Sequence, residues 1–202
     1  MLGSEQIPYH RIVGFMTAAI TQPLTLEEFL KLTETKPASE YINGEMIQKP
    51  MPKGKHSRLQ LKLCNSINDV AESQKIAYAF PELRCSFGNR SIVPDVAVFN
   101  WSRIPFDANE EAPNDFLLCL DWAIEILSPE QSSNRVTGNI LYCLHHGCQL
   151  GWLIDLEDRS ILGFLPGQQP ELLQGGDSLP LLPGIELILT VNQVFGWLKM
   201  GS

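Results

Sequence analysis

Apolar residues spaced three or four positions apart predict two long helices in this chain. The first stripe predicts a helix from residue 57 to about residue 74, and Ser57 with Gln60 has the spacing of a capping box. The second stripe predicts a helix from residue 136 to about residue 146, and Gly147 is a typical stop signal. A shorter helix is expected after Thr25, because Glu28 stands three positions further on.

Shorter apolar runs between turn residues predict strands. A hairpin is expected over residues 40–49, with its turn at Asn43-Gly44. The run 116–127 is nearly all apolar, as in a strand that is buried on both faces of a sheet. Further strands are expected over residues 76–80, 83–87, 92–99, 150–155 and 161–165.

The order of these elements predicts an α/β (α+β) fold with a mixed β-sheet flanked by helices. We expect a single domain over residues 23–202. Residues 1–22 lack the pattern and are expected to form a loosely held N-terminal arm.

Composition and charge limit the function classes. The chain has 202 residues, 44% of them hydrophobic, so it can build a sizeable core. The formal net charge of −8 argues against a protein that grips nucleic acid over its whole surface, but not against a local basic groove. No apolar run approaches the roughly 18 residues that a membrane helix needs.

Five cysteines are present, no two of them in a C-x-x-C arrangement, and each has apolar neighbours. An odd number of cysteines in such surroundings is typical of reduced core thiols. We therefore expect a cytoplasmic protein without structural disulfides.

Two carboxylates interrupt apolar strands. Asp95 follows Pro94 inside one predicted strand, and Glu125 lies inside another. A carboxylate in such a place is costly to desolvate unless it is paired or binds a metal ion. Either residue alone is explained as well by a local cap or salt bridge, whereas both together favour a shared divalent cation.

These motifs resemble a known family. Pro94-Asp95-Val96-Ala97-Val98 followed by Glu125-Ile126-Leu127-Ser128-Pro129 resembles the putative restriction endonuclease family of cyanobacteria, which belongs to the PD-(D/E)XK nuclease superfamily. Asn43-Gly44-Glu45, His56 and Gly151-Trp152-Leu153-Ile154-Asp155 also match, and the resemblance covers roughly residues 24–200.

The resemblance implies a Mg²⁺-dependent (or Mn²⁺-dependent) DNA endonuclease with a restriction-endonuclease-like core. It implies that Asp95 and Glu125 are metal ligands, and that Glu45 and His56 lie near them as catalytic residues. A solvated hairpin carboxylate explains Glu45 equally well, and local packing at the helix start explains His56 equally well.

The lysine that the superfamily carries two positions after the glutamate is replaced by Leu127. The family often places a lysine on the next helix instead, four positions before its tyrosine, and that position here is Gly138. Arg135 is the nearest cation on this helix and is the first candidate to assist catalysis. Lys53 or Lys55 could substitute in space.

The charge pattern indicates a polarised surface. Basic residues cluster from Lys53 to Lys62 and around the Pro-Asp strand, whereas residues 104–134 are acidic without a basic residue. A basic segment that faces a carboxylate site suits phosphodiester cleavage, although an ordinary solvated helix face explains it too. The candidate nucleic-acid-binding residues are Lys53, Lys55, Arg58, Arg84 and Arg90.

Two functions remain open at this point. The first is a metal-dependent DNA endonuclease, which the two carboxylates favour. The second is a catalytically degenerate protein of the same fold that binds nucleic acid or a protein partner, which the missing lysine favours. A homodimer is expected for cutting both strands of a duplex, with the apolar stretch 179–189 as its interface.

Overall fold

Two β-sheets form the centre of the fold, described here from a computed structural model over residues 24–129 and 131–201. The predicted N-terminal arm, residues 1–22, lies outside the described residues. The helices are α1 (Leu26–Leu30), α2 (Gly54–Ala71), α3 (Ser133–His145) and α4 (Val191–Gly196), with a short 3₁₀ turn at Trp101–Arg103. The strands are β1 (Ser39–Ile42), β2 (Glu45–Gln48), β3 (Ala77–Pro81), β4 (Cys85–Phe87), β5 (Arg90–Ile92), β6 (Val96–Asn100), β7 (Trp122–Leu127), β8 (Leu150–Asp155), β9 (Ser160–Phe164) and β10 (Glu171–Gln174).

The larger sheet is mixed, and helices flank it. Its six strands run in the order β10-β9-β8-β7-β6-β3, and β7 pairs with β8 in parallel while the other neighbours are antiparallel. Helix α2 packs on β3 and β6, and α3 packs on β7 and β8. The smaller sheet, in the order β2-β1-β5-β4, is antiparallel. This architecture confirms the predicted fold class, with the addition of a second sheet.

The apolar stripe of α2 explains why this helix lies on the larger sheet. Leu59, Leu63 and Ile67 are almost fully buried in the cluster that contains Trp122 and Trp152. The two indole rings meet edge to face, with their centroids 4.6 Å apart. Burial of each large side chain contributes roughly 1.5–3 kcal/mol, so this layer fixes the position of β7 and of the residues that it carries.

Helix α2 begins three residues earlier than the sequence predicts. Its N-cap is Lys53, and the capping box expected of Ser57 and Gln60 is not formed. The Gln60 amide instead donates a hydrogen bond of 2.8 Å to the backbone oxygen of Asp95. A tertiary contact has therefore replaced the local one, and it ties the helix to the Pro-Asp segment.

The two predicted strands that carry the candidate carboxylates are shorter than expected. The run 92–99 is divided into β5 and β6, because the segment from Val93 through Pro94 to Asp95 leaves the strand conformation. Proline cannot donate to a strand ladder, which favours an interruption at this point. In the run 116–127 only the last six residues form a strand, β7. The interruption between β5 and β6 places Asp95 where the chain passes from the smaller sheet into the larger one.

The stretch 179–189 is not an exposed apolar surface. Leu179, Leu182, Ile185 and Leu189 are buried against the main core, and Ile188 alone among the large hydrophobic side chains of this stretch is strongly exposed. The stretch therefore covers the sheet rather than offering a ready dimer interface. All five cysteines are buried and unpaired, as expected. Within the described residues, no helix has the length and apolarity to cross a membrane.

Candidate active site

Asp95 lies at the junction of the two sheets and is held from three sides. It immediately precedes β6, and its side chain is 2% exposed. Its Oδ2 accepts a hydrogen bond of 2.7 Å from the backbone N–H of Ile126 on β7. The carboxylate thus continues the pairing of β6 with β7 beyond the last backbone partners.

The ammonium group of Lys49 occupies the centre of the site. Its Nζ donates to Asp95 Oδ1 at 2.8 Å and to the backbone oxygen of Val93 at 2.7 Å, and it lies 3.4 Å from Glu125 Oε2. The side chain of Lys49 is only 12% exposed. The structure therefore brings Asp95 and Glu125 to one cation, and that cation is a lysine from the end of the hairpin.

These contacts determine the charge states. Burial opposes the charged form of Lys49, but the carboxylates of Glu125, Asp95 and Glu40 outweigh it and raise the lysine pKa. Burial alone would raise the pKa of Asp95, but the adjacent Lys49, together with the nearby His56, outweighs it and lowers that pKa to about 2. Lys49 and Asp95 consequently form a charged pair at neutral pH.

Glu125 lies on β7 and is almost completely buried. It alternates with Ile124 and Ile126, which pack into the main core, so its side chain projects from the opposite face of the strand. Burial raises the pKa of Glu125 well above its ordinary value, and Lys49 offsets only part of that effect. Of the residues that contact Lys49, Glu125 is therefore the one that keeps a proton most readily.

A third carboxylate, Glu40, also belongs to the site. It lies on β1 and is 5% exposed; its Oε1 accepts from the backbone N–H of Val93 at 2.9 Å. Its Oε2 accepts from Nδ2 of Asn139, on α3, at 3.2 Å. Burial raises the pKa of Glu40. Together Glu40, Asp95 and Glu125 place three carboxylates around one lysine.

Glu45, the hairpin carboxylate expected at the site, is exposed on β2. Its Cα pairs with that of Ile42 at the turn end of the hairpin, whereas Glu40 pairs with Ile47 nearer the site. The residue that faces the cluster is therefore Glu40. The sequence contained a signal for it, since Glu40 precedes the apolar pair Tyr41-Ile42 at the start of a predicted strand.

His56 lies against Asp95, near the same carboxylate oxygen that Lys49 contacts. Its Nε2 is 3.3 Å from Asp95 Oδ1, but in a geometry that does not form a hydrogen bond, and this nitrogen has no partner among the described residues. Its Nδ1 lies 3.4 Å from Ser128 Oγ. His56 is 5% exposed, so the structure does bring it to the site.

The expected replacements for the missing lysine are not at the centre. Arg135 is exposed at the edge of a cavity of about 200 Å³ that Lys49, Glu40 and Glu125 also line. A Cβ added at Gly138 would have no heavy atom within 4 Å, so this position opens onto free space. The next residue, Asn139, donates a hydrogen bond to Glu40. Lys49 was missed because its approach to Asp95 spans 46 residues of sequence.

Three of the five expected nucleic-acid contacts serve the fold. Arg58 donates to the backbone oxygen of Trp197, and Arg84 donates to Ser39 and to Ser91. Arg90 donates to Asn43 Oδ1 and stacks over the ring of Tyr142. Lys53 and Lys55 are exposed and border a second cavity, of about 490 Å³, which His56 and Ser128 also line.

No ready-made metal centre stands out. Among residues 24–129 and 131–201, no group of three or more His, Cys, Asp and Glu side chains has the arrangement of a metal site. The Lys49 ammonium lies where a shared cation was expected between Asp95 and Glu125.

Comparisons with known proteins identify the relatives of this chain. The family model Uma2, described as a putative restriction endonuclease, matches residues 26–192. A crystal structure of a putative nuclease belonging to DUF820 from Anabaena variabilis is 53% identical, with a TM-score of 0.84, and the match covers 88% of this chain and 100% of that one. No curated protein gives a significant match.

Proposed function

Because this chain belongs to the Uma2 putative restriction endonuclease family, we propose that it is a metal-dependent endonuclease that hydrolyses phosphodiester bonds in DNA. The observation that supports this proposal is the pairing of Lys49, whose side chain is only 12% exposed, with two buried carboxylates, Glu125 on β7 and Asp95 just before the neighbouring β6. Charged groups are costly to bury, and ionisable groups with shifted pKa values are concentrated at functional sites.

The oxygen atoms of the cluster fit a divalent cation. Glu40 and Glu125 are buried carboxylates that line one cavity with Lys49. Mg²⁺ and Mn²⁺ prefer such hard oxygen donors. When bound, an ion of this kind neutralises charge on a phosphate and lowers the pKa of coordinated water.

Lys49 takes the place of the missing lysine in this proposal. Because its pKa is raised, it stays charged and serves as an electrostatic group rather than as a general base. A fixed ammonium in a site of low dielectric stabilises the negative charge that develops on a phosphate during hydrolysis. The loss of lysine at positions 127 and 138 therefore does not by itself remove activity.

Asp95 holds Lys49 in place. Asp95 contacts the lysine through Oδ1 and is anchored to β7 through Oδ2. His56 and Gln60 approach the same segment from the first turns of α2. A lysine held in this way does not have to change its position when a substrate binds. Such preorganisation is what makes a fixed charge effective in catalysis.

The DNA partner would approach from the side where the exposed cations lie. Lys53 and Lys55 border one cavity, and Arg135 borders the other. Gln131 lines both, so the two cavities adjoin. A phosphate backbone crossing this region would meet Arg135 and the two lysines before reaching Glu125. A homodimer remains part of the proposal, since two sites related by a two-fold axis suit a duplex.

One observation favours the alternative of a catalytically degenerate protein that binds nucleic acid or a protein partner. Lys49 already neutralises Asp95 and contacts Glu125, which is how a former metal site would be stabilised after losing its ion. The two functions differ in one measurable property, which is metal-dependent cleavage.

Nicking of supercoiled plasmid DNA tests the proposal directly. We expect the wild type to nick with Mg²⁺ or Mn²⁺ and to stop when a chelator is added. Asp95→Asn and Lys49→Met should each reduce the rate about 100-fold or more. Lys31→Met is the matched control, because Lys31 is exposed and its partner Glu27, on α1, is exposed as well.

The proposal fails if the purified wild type cuts neither plasmid, linear duplex nor single-stranded DNA with either metal. DNA binding without cleavage, seen as a gel shift, would then support the degenerate alternative.

A further inference from the structure

Four of the five cysteines lie in one buried cluster. Cys85, Cys119, Cys143 and Cys148 belong to a second hydrophobic core, whereas Cys64 packs in the main one. The four come from β4, from the segment before β7, from α3 and from the segment between α3 and β8. The proposed function uses none of these thiols, although a cysteine is intrinsically a strong nucleophile.

Within this cluster, Cys119 and Cys143 are in direct contact. The Sγ atom of Cys119 lies 3.5 Å from the backbone oxygen of Cys143, and the two thiols hydrogen-bond to each other. The two residues are 24 positions apart along the chain, so the fold rather than local sequence brings them together. Proximity of the two side chains is the first requirement for a disulfide.

The two thiols differ in reactivity. The hydrogen bond from Cys143 outweighs burial and lowers the pKa of the Cys119 thiol, and the nearby Arg103 guanidinium acts in the same direction. The same hydrogen bond, together with burial, raises the pKa of Cys143 well above its ordinary value. Since the thiolate is the reactive form, Cys119 is the thiol of the pair that reacts first.

Cys119 is also the thiol of the cluster that lies nearest the surface. It is 5% exposed, whereas Cys143 and Cys148 are each 1% exposed. The Arg103 side chain, whose Nη2 donates to the backbone oxygen of Cys119 at 2.8 Å, is 37% exposed. A small reagent therefore has a shorter path to Cys119 than to its partner.

We propose that Cys119 and Cys143 form a modification site at which hydrogen peroxide converts the two thiols into an internal disulfide. The Cys119 thiolate first attacks one peroxide oxygen; the O–O bond breaks, and hydroxide leaves and takes up the thiol proton as water. The Cys143 sulfur then attacks the Cys119 sulfenic acid, the S–O bond breaks, and a second water leaves. One peroxide thus accepts two electrons from two thiols.

This disulfide joins the last turn of α3 to the segment that leads into β7. A dithiol reductant returns both electrons and restores the two thiols. The inference does not depend on cleavage of DNA, so it stands or falls apart from the proposed nuclease function.

Mass spectrometry of the reduced full-length protein, before and after hydrogen peroxide, tests the inference. Trypsin places Cys119 alone in the peptide 104–135, and Cys143 with Cys148 in the peptide 136–159. We expect peroxide to join these two peptides in the folded protein and dithiothreitol to separate them. Chymotrypsin, which cuts after Leu144, then shows in the wild type that the bond is made by Cys143 rather than by Cys148.

Substitutions identify the order of the two steps. Cys143→Ser should abolish the link and leave a sulfenic acid on Cys119, which dimedone labels in the peptide 104–135. Cys148→Ser and Cys64→Ser should both retain the link. Cys119 should also react about tenfold or more faster than Cys64, because burial raises the pKa of the Cys64 thiol to about 11.

Three results would overturn the inference. The first is a folded wild type whose two peptides remain separate after peroxide treatment. The second is a link that forms only in urea, which would show that the folded chain does not bring the thiols together. The third is a link to Cys148 in the chymotryptic digest of the wild type. The first and third readings need no variant, so a substitution that fails to fold does not affect them.

Discussion

Replacement of Lys49 by methionine isolates the central charge of the site. Methionine keeps the length and flexibility of the side chain but removes the ammonium group. Asp95 then loses its salt bridge, and the backbone oxygen of Val93 loses its donor. Both groups are buried, so water cannot replace the lysine at low cost.

The expected loss of folding stability in Lys49→Met follows from the contacts of Asp95. Its pKa falls from an ordinary 3.8 to about 2, which corresponds to roughly 2 kcal/mol. Removing one partner of a buried pair typically costs about 3–5 kcal/mol, because the other charge is left uncompensated. We therefore expect Lys49→Met to lower the free energy of unfolding by about 2–5 kcal/mol at pH 7.5.

The loss of stability caused by Lys49→Met should be larger near neutral pH than at pH 4. In the wild type, the lowered pKa of Asp95 contributes stability above about pH 4, and this is lost as the pH falls toward 2. In the variant, burial without the lysine raises the pKa of Asp95, so its carboxyl group destabilises the fold near neutral pH and is relieved by protonation. The difference between variant and wild type should therefore be largest near pH 7 and smaller at pH 4.

Urea denaturation at pH 7.5 and at pH 4 measures both effects. Lys31→Met, an exposed lysine on α1, should change stability by less than about 1 kcal/mol at either pH. The double variant Asp95→Asn/Lys49→Met should be more stable than the sum of the single changes implies, since it leaves no unpaired charge. A cost below about 1 kcal/mol for Lys49→Met, or one that is the same at both pH values, would refute the central charged pair.

Three further predictions address the edge of the site, the hairpin and the scaffold. Arg135→Ala should reduce cleavage about tenfold while Arg135→Lys retains it, as steady-state nicking rates would show; equal rates in both variants would remove Arg135 from the mechanism. Glu40→Gln should reduce the cleavage rate far more than Glu45→Gln, because of these two carboxylates only that of Glu40 is buried at the cluster. A larger effect of Glu45→Gln would show that Glu45 is the catalytic carboxylate of the hairpin. Gly88→Ala should lower stability by about 1–3 kcal/mol in thermal unfolding, since Gly88 has φ +58° and an added Cβ would lie 2.3 Å from the hydroxyl of Tyr142; an unchanged midpoint would show that the β4–β5 turn rearranges freely.

The hairpin shows what the sequence could predict. Asn43 and Gly44 both adopt positive φ angles, of 53° and 90°, as the two central residues of the predicted turn. That local preference set the pairing of β1 with β2. It thereby placed Lys49 at the open end of the hairpin, opposite the turn. The capping box at Thr25 and Glu28 also formed as predicted. Both features depend on residues within four positions of one another.

The centre of the site depends on contacts between distant residues. Asp121 and Glu125 lie in one apolar run, yet Asp121 pairs with Arg103 at 2.6 Å beside the 3₁₀ turn, away from the cluster. Nothing in the sequence of this run shows which of the two carboxylates belongs to the site. The sequence analysis named Lys53, Lys55 and Arg135 as candidate cations. In the structure the cation at the carboxylates is Lys49, because the pairing of β1 with β2 brings it beside Val93.

The pairing of Lys49 with distant carboxylates has a consequence for folding. Its partners Asp95 and Glu125 lie 46 and 76 residues further along the chain. At a synthesis rate of roughly 5–20 residues per second, the lysine would leave the ribosome about 4–15 s before Glu125 does. Contacts of such long range also slow folding, because chain entropy is lost before they form. The site would therefore be completed late, after β7 has entered the sheet, and protection of the Ile126 amide against hydrogen exchange would report that step.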